Sequence, residues 1–183
     1  MKIETDRLII RSLRPDDEPD FITMASDGSL TEIFGDCSDC SHWIGQWIAE
    51  SIQLEKENNP ARAYLAYCVE RKKDHTVIGS VGCTYYEDMK RTGITYFLGA
   101  DHRGHGYMTE AVKGYVQYFF QNYSADTLFA AARVANKASC RTLEHAGFHL
   151  LETRMYQDLY DETAELNNFY KLRNTRSIHT ITA

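Results

Sequence analysis

Ala100-Asp-His-Arg-Gly-His-Gly-Tyr-Met-Thr-Glu-Ala111 is the stretch around which the rest of the chain is organised. It follows an apolar run, Ile94–Leu98, and precedes a helical pattern, so Gly104 and Gly106 fall in a turn between a strand and a helix. Because glycine has no side chain, backbone N–H groups in this turn can surround an anion. The helix that follows adds unpaired N–H donors and the positive end of its dipole. The stretch therefore predicts a turn that binds a diphosphate.

Positive side chains accompany the two glycines. Arg103 is a permanent cation, and His102 and His105 can add partial charge beside it. The pattern excludes a Walker loop, which needs a lysine at the helix start. It also excludes a dinucleotide fingerprint, because Thr109 stands where the third glycine is required. A Gly-x-Gly turn is weak evidence by itself, so the rest of the chain has to support it.

Three segments resemble one family, the GNAT N-acetyltransferases. Arg103-x-x-Gly106 resembles their acyl-CoA pyrophosphate motif, Gln/Arg-x-x-Gly-x-Gly/Ala, although Met108 replaces the final small residue. Asn136-Lys-Ala-Ser139-x-x-x-Leu143-Glu-x-x-Gly147-Phe148 is similar to the Asn-x-x-Ser…Gly-Phe segment of the Rim-type branch, which acetylates ribosomal-protein N-termini. The opening, Glu4-Thr-Asp-Arg-Leu-Ile-Ile-Arg-Ser-Leu-Arg-Pro-Asp-Asp17, is similar to that branch too. The chain is identified as a member because these segments occur in order and span nearly its whole length.

Composition sets broad limits on the class of protein. A chain of 183 residues suits a single domain, expected over 1–173, with 174–183 as a loose tail. The net charge of −6 and the pI near 5.6 argue against nucleic acid as a partner. No apolar run approaches the roughly 20 residues of a membrane span. Cytoplasm is therefore the expected location, with the five cysteines reduced and the chain a monomer or homodimer.

The hydrophobic pattern and the resemblance together predict an α/β GNAT fold. We expect a mixed, mostly antiparallel sheet of six to seven strands, helices on both faces and a βαβ acyl-CoA-binding core. The predicted strands are 8–13, 63–69, Val77–Tyr86, Ile94–Leu98, Leu128–Val134, Leu150–Tyr156 and Leu166–Leu172. The predicted helices begin near Asp16, Ser41, Tyr107 and Asn136.

The resemblance implies that acetyl-CoA is the co-substrate. Its pantetheine arm would hydrogen-bond the backbone of Phe97, Leu98 and Ala100, with the Leu98 N–H as oxyanion donor. Asn136, Ser139 and Arg141 would add contacts, although a helix cap, a first-turn residue and a solvated side chain remain the plainer interpretations. The diphosphate would be held by the turn itself: Arg103, Gly104, His105, Gly106, Tyr107 and Met108.

Two departures affect the proton steps. Many relatives carry a glutamate base where this chain has Gly93, and many have a tyrosine acid where it has Leu143. Glu87 and Asp88 are substitute bases, although direct attack by the neutral fraction of the amine is equally plausible. Ser139 is the candidate proton donor for the departing thiolate.

The expected function is acetyl transfer from acetyl-CoA to a primary amine by direct attack in a ternary complex. The alternative is a catalytically silent acyl-CoA-binding module. The sequence does not decide which amine is the acceptor: a protein N-terminus, a polyamine, an amino acid and an antibiotic are all open. Cys37-x-x-Cys40-Ser-His42 suggests zinc, but no second cluster completes a tetrahedral site, so no metal is expected. Cys140 has no evident base and is expected to pack in the core.

Overall fold

The computed structural model describes residues 1–34, 40–157 and 163–175. This part of the chain forms one eight-stranded sheet and five α-helices. The strands are β1 Lys2–Glu4, β2 Leu8–Ser12, β3 Leu65–Arg71, β4 Thr76–Tyr86, β5 Arg91–Leu98, β6 Thr127–Arg133, β7 His149–Tyr156 and β8 Glu165–Arg173. The helices are α1 Glu18–Ala25, α2 Thr31–Phe34, α3 Cys40–Glu57, α4 Tyr107–Asn122 and α5 Lys137–His145.

The sheet is mixed and mostly antiparallel, as predicted. Its strand order is β1-β2-β3-β4-β5-β6-β8-β7, and β5 and β6 are the one parallel pair in the described sheet. The prediction of six to seven strands was low by one. The additional strand, β1, has only three residues, too few for a period-two pattern to be read from the sequence.

Helices cover both faces of the sheet, and β3 separates the two cores. Leu65, Tyr67 and Val69 point into the core that α4 covers, and the alternate residues Ala66 and Cys68 point into the core under α1 and α3. A strand buried on both faces has no polar alternation. This arrangement explains why β3 reads as an almost continuous apolar run.

A buried charge network ties the opening segment to the sheet. The Arg11 guanidinium donates to both carboxylate oxygens of Asp17, at 2.9 and 2.7 Å, and to Glu70 at 2.6 Å. All three side chains are at most 9% exposed. Removing one partner would leave the others buried and uncompensated, which is strongly destabilising.

Helix boundaries follow local chemistry. Asn136 caps α5, since its side-chain oxygen accepts the Ser139 N–H at 3.0 Å. Gly147, with φ of 95°, follows the end of α5 in the left-handed region that favours glycine. Gly114, unfavourable within a helix, permits close packing: a Cβ there would lie 2.9 Å from Thr5 Cγ2. Residues 176–183 of the predicted tail lie outside the described residues, and no described helix is long and apolar enough to cross a membrane.

Candidate active site

A cavity opens where β5 and β6 diverge. The two strands pair only at Gly93 and Phe129, so they separate toward the end of β5. A cavity of about 430 Å³ lies beside this end of β5, with Ser29, Leu30 and Ile33 among its lining residues. It is lined by the end of β5, the turn 103–106, and the first turns of α4 and α5.

The predicted diphosphate turn has the required geometry. Gly104 and Gly106 adopt φ values of 80° and 75°, which strain other residues. Gly106 is the N-cap of α4 and supplies no side-chain cap. Because the first helical bond runs from the Glu110 N–H to the Gly106 carbonyl, the N–H groups of residues 107–109 have no partner within the helix. Residues 107–109 line the cavity, so the start of α4 faces it with free helix donors.

Arg103 lines the cavity, and its side chain also hydrogen-bonds two backbone carbonyls of residues that line the cavity. Its Nε donates to the Leu98 carbonyl and one Nη donates to the Ser29 carbonyl, both at 3.1 Å. A phosphate contact by this side chain stays a prediction. Burial, with a smaller effect from Arg71, lowers the pKa of His102 below its usual value of 6.5. The lowered pKa reduces the fraction of His102 that is charged at pH 7, so the partial charge suggested for it is smaller than for an ordinary histidine.

Arg7 is a second cation at the turn, and sequence reasoning missed this role. One Nη donates to the His105 carbonyl at 2.9 Å, and Nε donates to the Glu110 carboxylate at 2.7 Å. The guanidinium also lies 4.6 Å from the centre of the Tyr107 ring. Arg7 thus links the opening segment of the chain to the turn and to the first turn of α4. Its place in the family-like opening segment was the available signal.

The end of β5 offers one residue's backbone to the cavity. The Gly99 N–H donates to the Ile78 carbonyl, and Leu98 faces Gly79 in register. Because bonded and non-bonded pairs alternate in an antiparallel ladder, the Leu98 N–H and C=O point away from β4, toward the gap. The Phe97 carbonyl points into β4, since a Cβ on Gly79 would lie 2.2 Å from it. The pairing therefore supports the predicted role of Leu98 and opposes a backbone contact by Phe97.

Ser139 has a partner that the sequence did not suggest. The Tyr96 hydroxyl lies 2.9 Å from Ser139 Oγ and also donates to the Ser139 carbonyl at 3.3 Å. Burial raises the pKa of the Tyr96 hydroxyl, which keeps it protonated at neutral pH. Tyr96 was missed because it occupies an alternate position of an apolar strand and reads as a core residue.

Only some of the other residues predicted to contact the cofactor line this cavity. Asn136 and Ser139 line the cavity. Ala100 also follows β5, but it begins a 3₁₀ turn and its carbonyl accepts the Arg103 N–H at 3.1 Å. Arg141 is exposed, donates to the Lys137 carbonyl at 3.2 Å, and is not among the described lining residues. Contacts of Ala100 and Arg141 with a cofactor stay predictions.

A second cavity, of about 860 Å³, lies on the other face of the sheet, beneath α3. Tyr96, Phe97 and Ile33 line both cavities, so the two spaces meet at these residues. Phe97 also packs against Phe21 and Trp47, with ring centres 5.9 and 6.1 Å apart. One cavity can therefore hold a thioester while the other presents a second reactant to it.

The space of the absent glutamate is filled by an aromatic ring. A Cβ built on Gly93 would lie 2.3 Å from Tyr86 Cε2 on the neighbouring strand. A side chain at position 93 is therefore incompatible with this position of Tyr86. Leu143 is only 1% exposed and packs in the main core, so it takes no part in proton transfer.

Glu87 and Asp88 line the second cavity, at its far end. They lie in the turn between β4 and β5, beyond the Tyr86–Arg91 pair. At about 3.3 Å per residue, that pair is about 20 Å along β5 from Phe97. The role of either carboxylate as the base stays a prediction. The distance from Phe97 favours a role in binding a substrate over a role as the base.

The cysteine-based alternatives find no support in the described residues. Cys37, on which the zinc interpretation depends, lies outside them, and no described group of three or more histidine, cysteine, aspartate or glutamate side chains could hold a metal ion. Cys68, Cys83 and Cys140 are buried and unpaired. Burial raises the pKa of the Cys83 thiol to about 11, so this cysteine is not a nucleophile at neutral pH.

Comparisons with known proteins agree with this architecture. The family description "Acetyltransferase (GNAT) domain" matches residues 7–149. The uncharacterized N-acetyltransferase YoaA of Bacillus subtilis is 26% identical over 160 residues, covering 85% of this chain and 89% of YoaA. RimL, a ribosomal L7/L12 α-N-protein acetyltransferase solved with coenzyme A, has a TM-score of 0.79 at 14% identity, over 94% of this chain and 98% of RimL. MccE, the microcin C7 self-immunity acetyltransferase solved with acetyl-CoA and AMP, has a TM-score of 0.74 at 17% identity, over 93% and 94% of the two chains.

The family match spans most of the chain, and the fold agrees over nearly all of it. The chain belongs to the GNAT family of acetyl-CoA-dependent N-acetyltransferases.

Proposed function

We propose that this protein transfers the acetyl group of acetyl-CoA to a primary amine by direct attack in a ternary complex. The observation that carries the proposal is the meeting of two cavities at Tyr96 and Phe97. One cavity has an anion-binding turn and suits the cofactor; we call it the cofactor cavity. The other, the acceptor cavity, approaches the same point from the opposite face. Transfer between two bound reactants needs such a junction, because both must be held in contact.

In the proposed complex, the diphosphate of acetyl-CoA lies at Gly104–Gly106 and the free N–H groups of α4. Asn136 and Arg141 would contact the pantetheine arm and the adenosine phosphate. The thioester carbonyl would accept the Leu98 N–H, which stabilises the negative charge on that oxygen as the tetrahedral intermediate forms.

The proton steps need no carboxylate at position 93. A neutral amine attacks the thioester carbon, its nitrogen forms the amide bond, and the carbon–sulfur bond breaks. The thiolate takes a proton from the Ser139 hydroxyl, the Tyr96 hydroxyl orients Ser139 and relays a proton to it, and the pair regains a proton from solvent. The proton released by the amine passes to water in the acceptor cavity, with Glu87 or Asp88, at the end of that cavity remote from Phe97, as candidate bases through that water.

A silent acyl-CoA-binding module is the second candidate. The ring of Tyr86 in the space of the usual glutamate and the buried Leu143 favour it. The two candidates differ in one measurement: release of free coenzyme A from acetyl-CoA in the presence of a panel of primary amines.

The experiment monitors thiol release and identifies the product by mass spectrometry. We expect amine-dependent release that falls in Ser139→Ala, with acetyl-CoA affinity preserved. The control is Ser124→Ala, an exposed serine between α4 and β6. Acetyl-CoA binding without amine-dependent release, for all amine classes tested, would instead establish the silent module.

A further inference from the structure

The acceptor cavity owes its space to small side chains on one face of the sheet. Ala66, Ser80, Thr84 and Thr95 line its floor on β3, β4 and β5. Trp43 and Trp47 of α3 line the opposite side, one helical turn apart. The result is a long space between a helix and a sheet face.

The walls of this cavity are aromatic. Six aromatic side chains besides Tyr96 and Phe97 line it: Trp43, Trp47, Tyr64, Tyr85, Tyr86 and Tyr156. Aromatic faces attract ammonium groups and also pack against methylene chains. The walls therefore suit an aliphatic cation better than a strongly hydrated anion.

The charged residues that line the acceptor cavity are all acidic. They are Glu50, Glu87 and Asp88, and no lysine or arginine lines it in the part of the chain that the structure describes. Lys90 approaches the rim, where its Nζ is 3.2 Å from Glu87. Because Glu87 is paired with Lys90, Glu50 and Asp88 carry the argument: they would repel the carboxylate or phosphate of an acceptor, which disfavours free amino acids and nucleotides.

This negative charge lies at the end remote from the reaction point. Trp47 packs against Phe97, and Glu50 lies nearly one helical turn further along α3, where the Tyr64 hydroxyl donates to it at 2.8 Å. Glu87 and Asp88 lie in the hairpin about 20 Å of strand away from Phe97. An amine reacting near Tyr96 would therefore need a second positive group well separated from the first to reach these carboxylates.

On the basis of the proposed function, we propose that the acceptor is a linear aliphatic polyamine. Its reacting amino group lies at the junction of the two cavities, and its distal ammonium groups bind Glu50 and Asp88. A peptide N-terminus fits less well, because β4 and β5 pair with each other beneath the cavity, and the free edge of β5 faces the gap toward β6 that the cofactor would occupy. The spacing and sign of the charges thus select the length and charge of the acceptor.

Matched amines test this proposal. The probes are hexylamine, hexamethylenediamine, aminohexanoate and spermine, which differ in the charge and distance of the far end. We expect kcat/KM to rise from aminohexanoate through hexylamine and the diamine to spermine, with spermine at least tenfold above hexylamine. Equal values for hexylamine and spermine, or a higher value for a peptide N-terminus without basic residues, would overturn the proposal while the proposed function stands.

A charge-removing variant gives the second test. Glu50→Gln combined with Asp88→Asn removes two charges, and glutamine at 50 can still accept the Tyr64 hydroxyl. We expect the spermine-to-hexylamine ratio of kcat/KM to fall at least tenfold, and to stay constant in the control Asp126→Asn, an exposed carboxylate after α4. An unchanged ratio in the double variant would refute the assignment of these carboxylates.

Amine affinities measured by calorimetry test the polyamine inference separately from the proposed acetyl transfer. If no amine is acetylated, the proposed function fails, and binding to the protein saturated with coenzyme A still decides the present inference. Spermine binding at least tenfold tighter than hexylamine would support it, and equal affinities would contradict it.

Discussion

The Tyr96 hydroxyl lies 2.9 Å from Ser139 Oγ, and this contact joins β5 to the first turn of α5 across the cofactor cavity. Ser139 comes from a motif that the sequence made visible. Tyr96 comes from a strand that reads as ordinary core. Tyr96 lines both cavities and Ser139 lines the cofactor cavity, so the two hydroxyl groups lie beside the junction.

A double-mutant cycle tests whether these hydroxyls act together. We expect Ser139→Ala to lower kcat by about 10- to 100-fold, the low end for general acid catalysis. Tyr96→Phe should lower kcat by less, because Tyr96 acts through Ser139. The double variant should be no slower than Ser139→Ala, with KM for acetyl-CoA unchanged in all three. Additive losses in kcat would show that the two hydroxyls act independently. A lower melting temperature of Ser139→Ala with an unchanged kcat would show that Ser139 has only a structural role.

The diphosphate turn is tested at the N-cap of α4. Gly106→Asp places a carboxylate where the diphosphate should bind, and we expect acetyl-CoA affinity to fall more than tenfold, or about 1.4 kcal/mol. Gly106→Asn is the matched control, since it has the same shape and the same strain at φ 75° without the charge. Calorimetry should place the asparagine variant clearly closer to the wild type. Equal losses for both would assign the effect to backbone strain.

The contact between Gly93 and Tyr86 predicts a change in stability. Gly93→Ala brings a methyl group into the Tyr86 ring, and we expect a loss of about 1 to 3 kcal/mol in the free energy of unfolding. Tyr86→Leu removes the ring atom in question. The double variant should be more stable than the sum of the two single effects predicts, measured by urea denaturation. Strict additivity would mean that the ring moves aside at no cost.

The link between Glu110 and the opening segment predicts a pH dependence. Burial alone would raise the pKa of Glu110, but hydrogen bonds from Thr5 and Arg7 outweigh it and lower the pKa below the usual 4.5. A depressed pKa contributes stability that is present above pH 4.5 and is lost as pH falls through the folded-state value. We expect Glu110→Gln to lower the free energy of unfolding by about 1 kcal/mol at pH 7. This value is kept small because Arg7 is half-exposed and solvent screens its interaction with Glu110. Urea denaturation should find that the difference between the two proteins shrinks as the pH falls below 4.5; a constant difference would exclude a charge effect.

Much of the fold followed from the sequence because its signals are local. The two glycines require positive φ, Asn136 has the side chain of a helix cap, and alternating or continuous apolar runs follow from burial on one or two faces. These features depend on neighbours a few residues away. The glycine turn before α4, the βαβ unit and the family were therefore predictable.

The tertiary structure alone decided which distant residues meet. Arg7 and Glu110 are 103 residues apart, and Tyr96 and Ser139 are 43 apart, so no spacing pattern records these contacts. Strand register placed the Leu98 backbone toward the gap, turned the Phe97 backbone into β4, and put the Tyr86 ring over Gly93. The sequence by itself determined the elements and the glycine turn at 103–106. The pairing of β4 with β5 and the divergence of β5 from β6 determined the second cavity, because a cavity is a relation between elements that are remote in the chain.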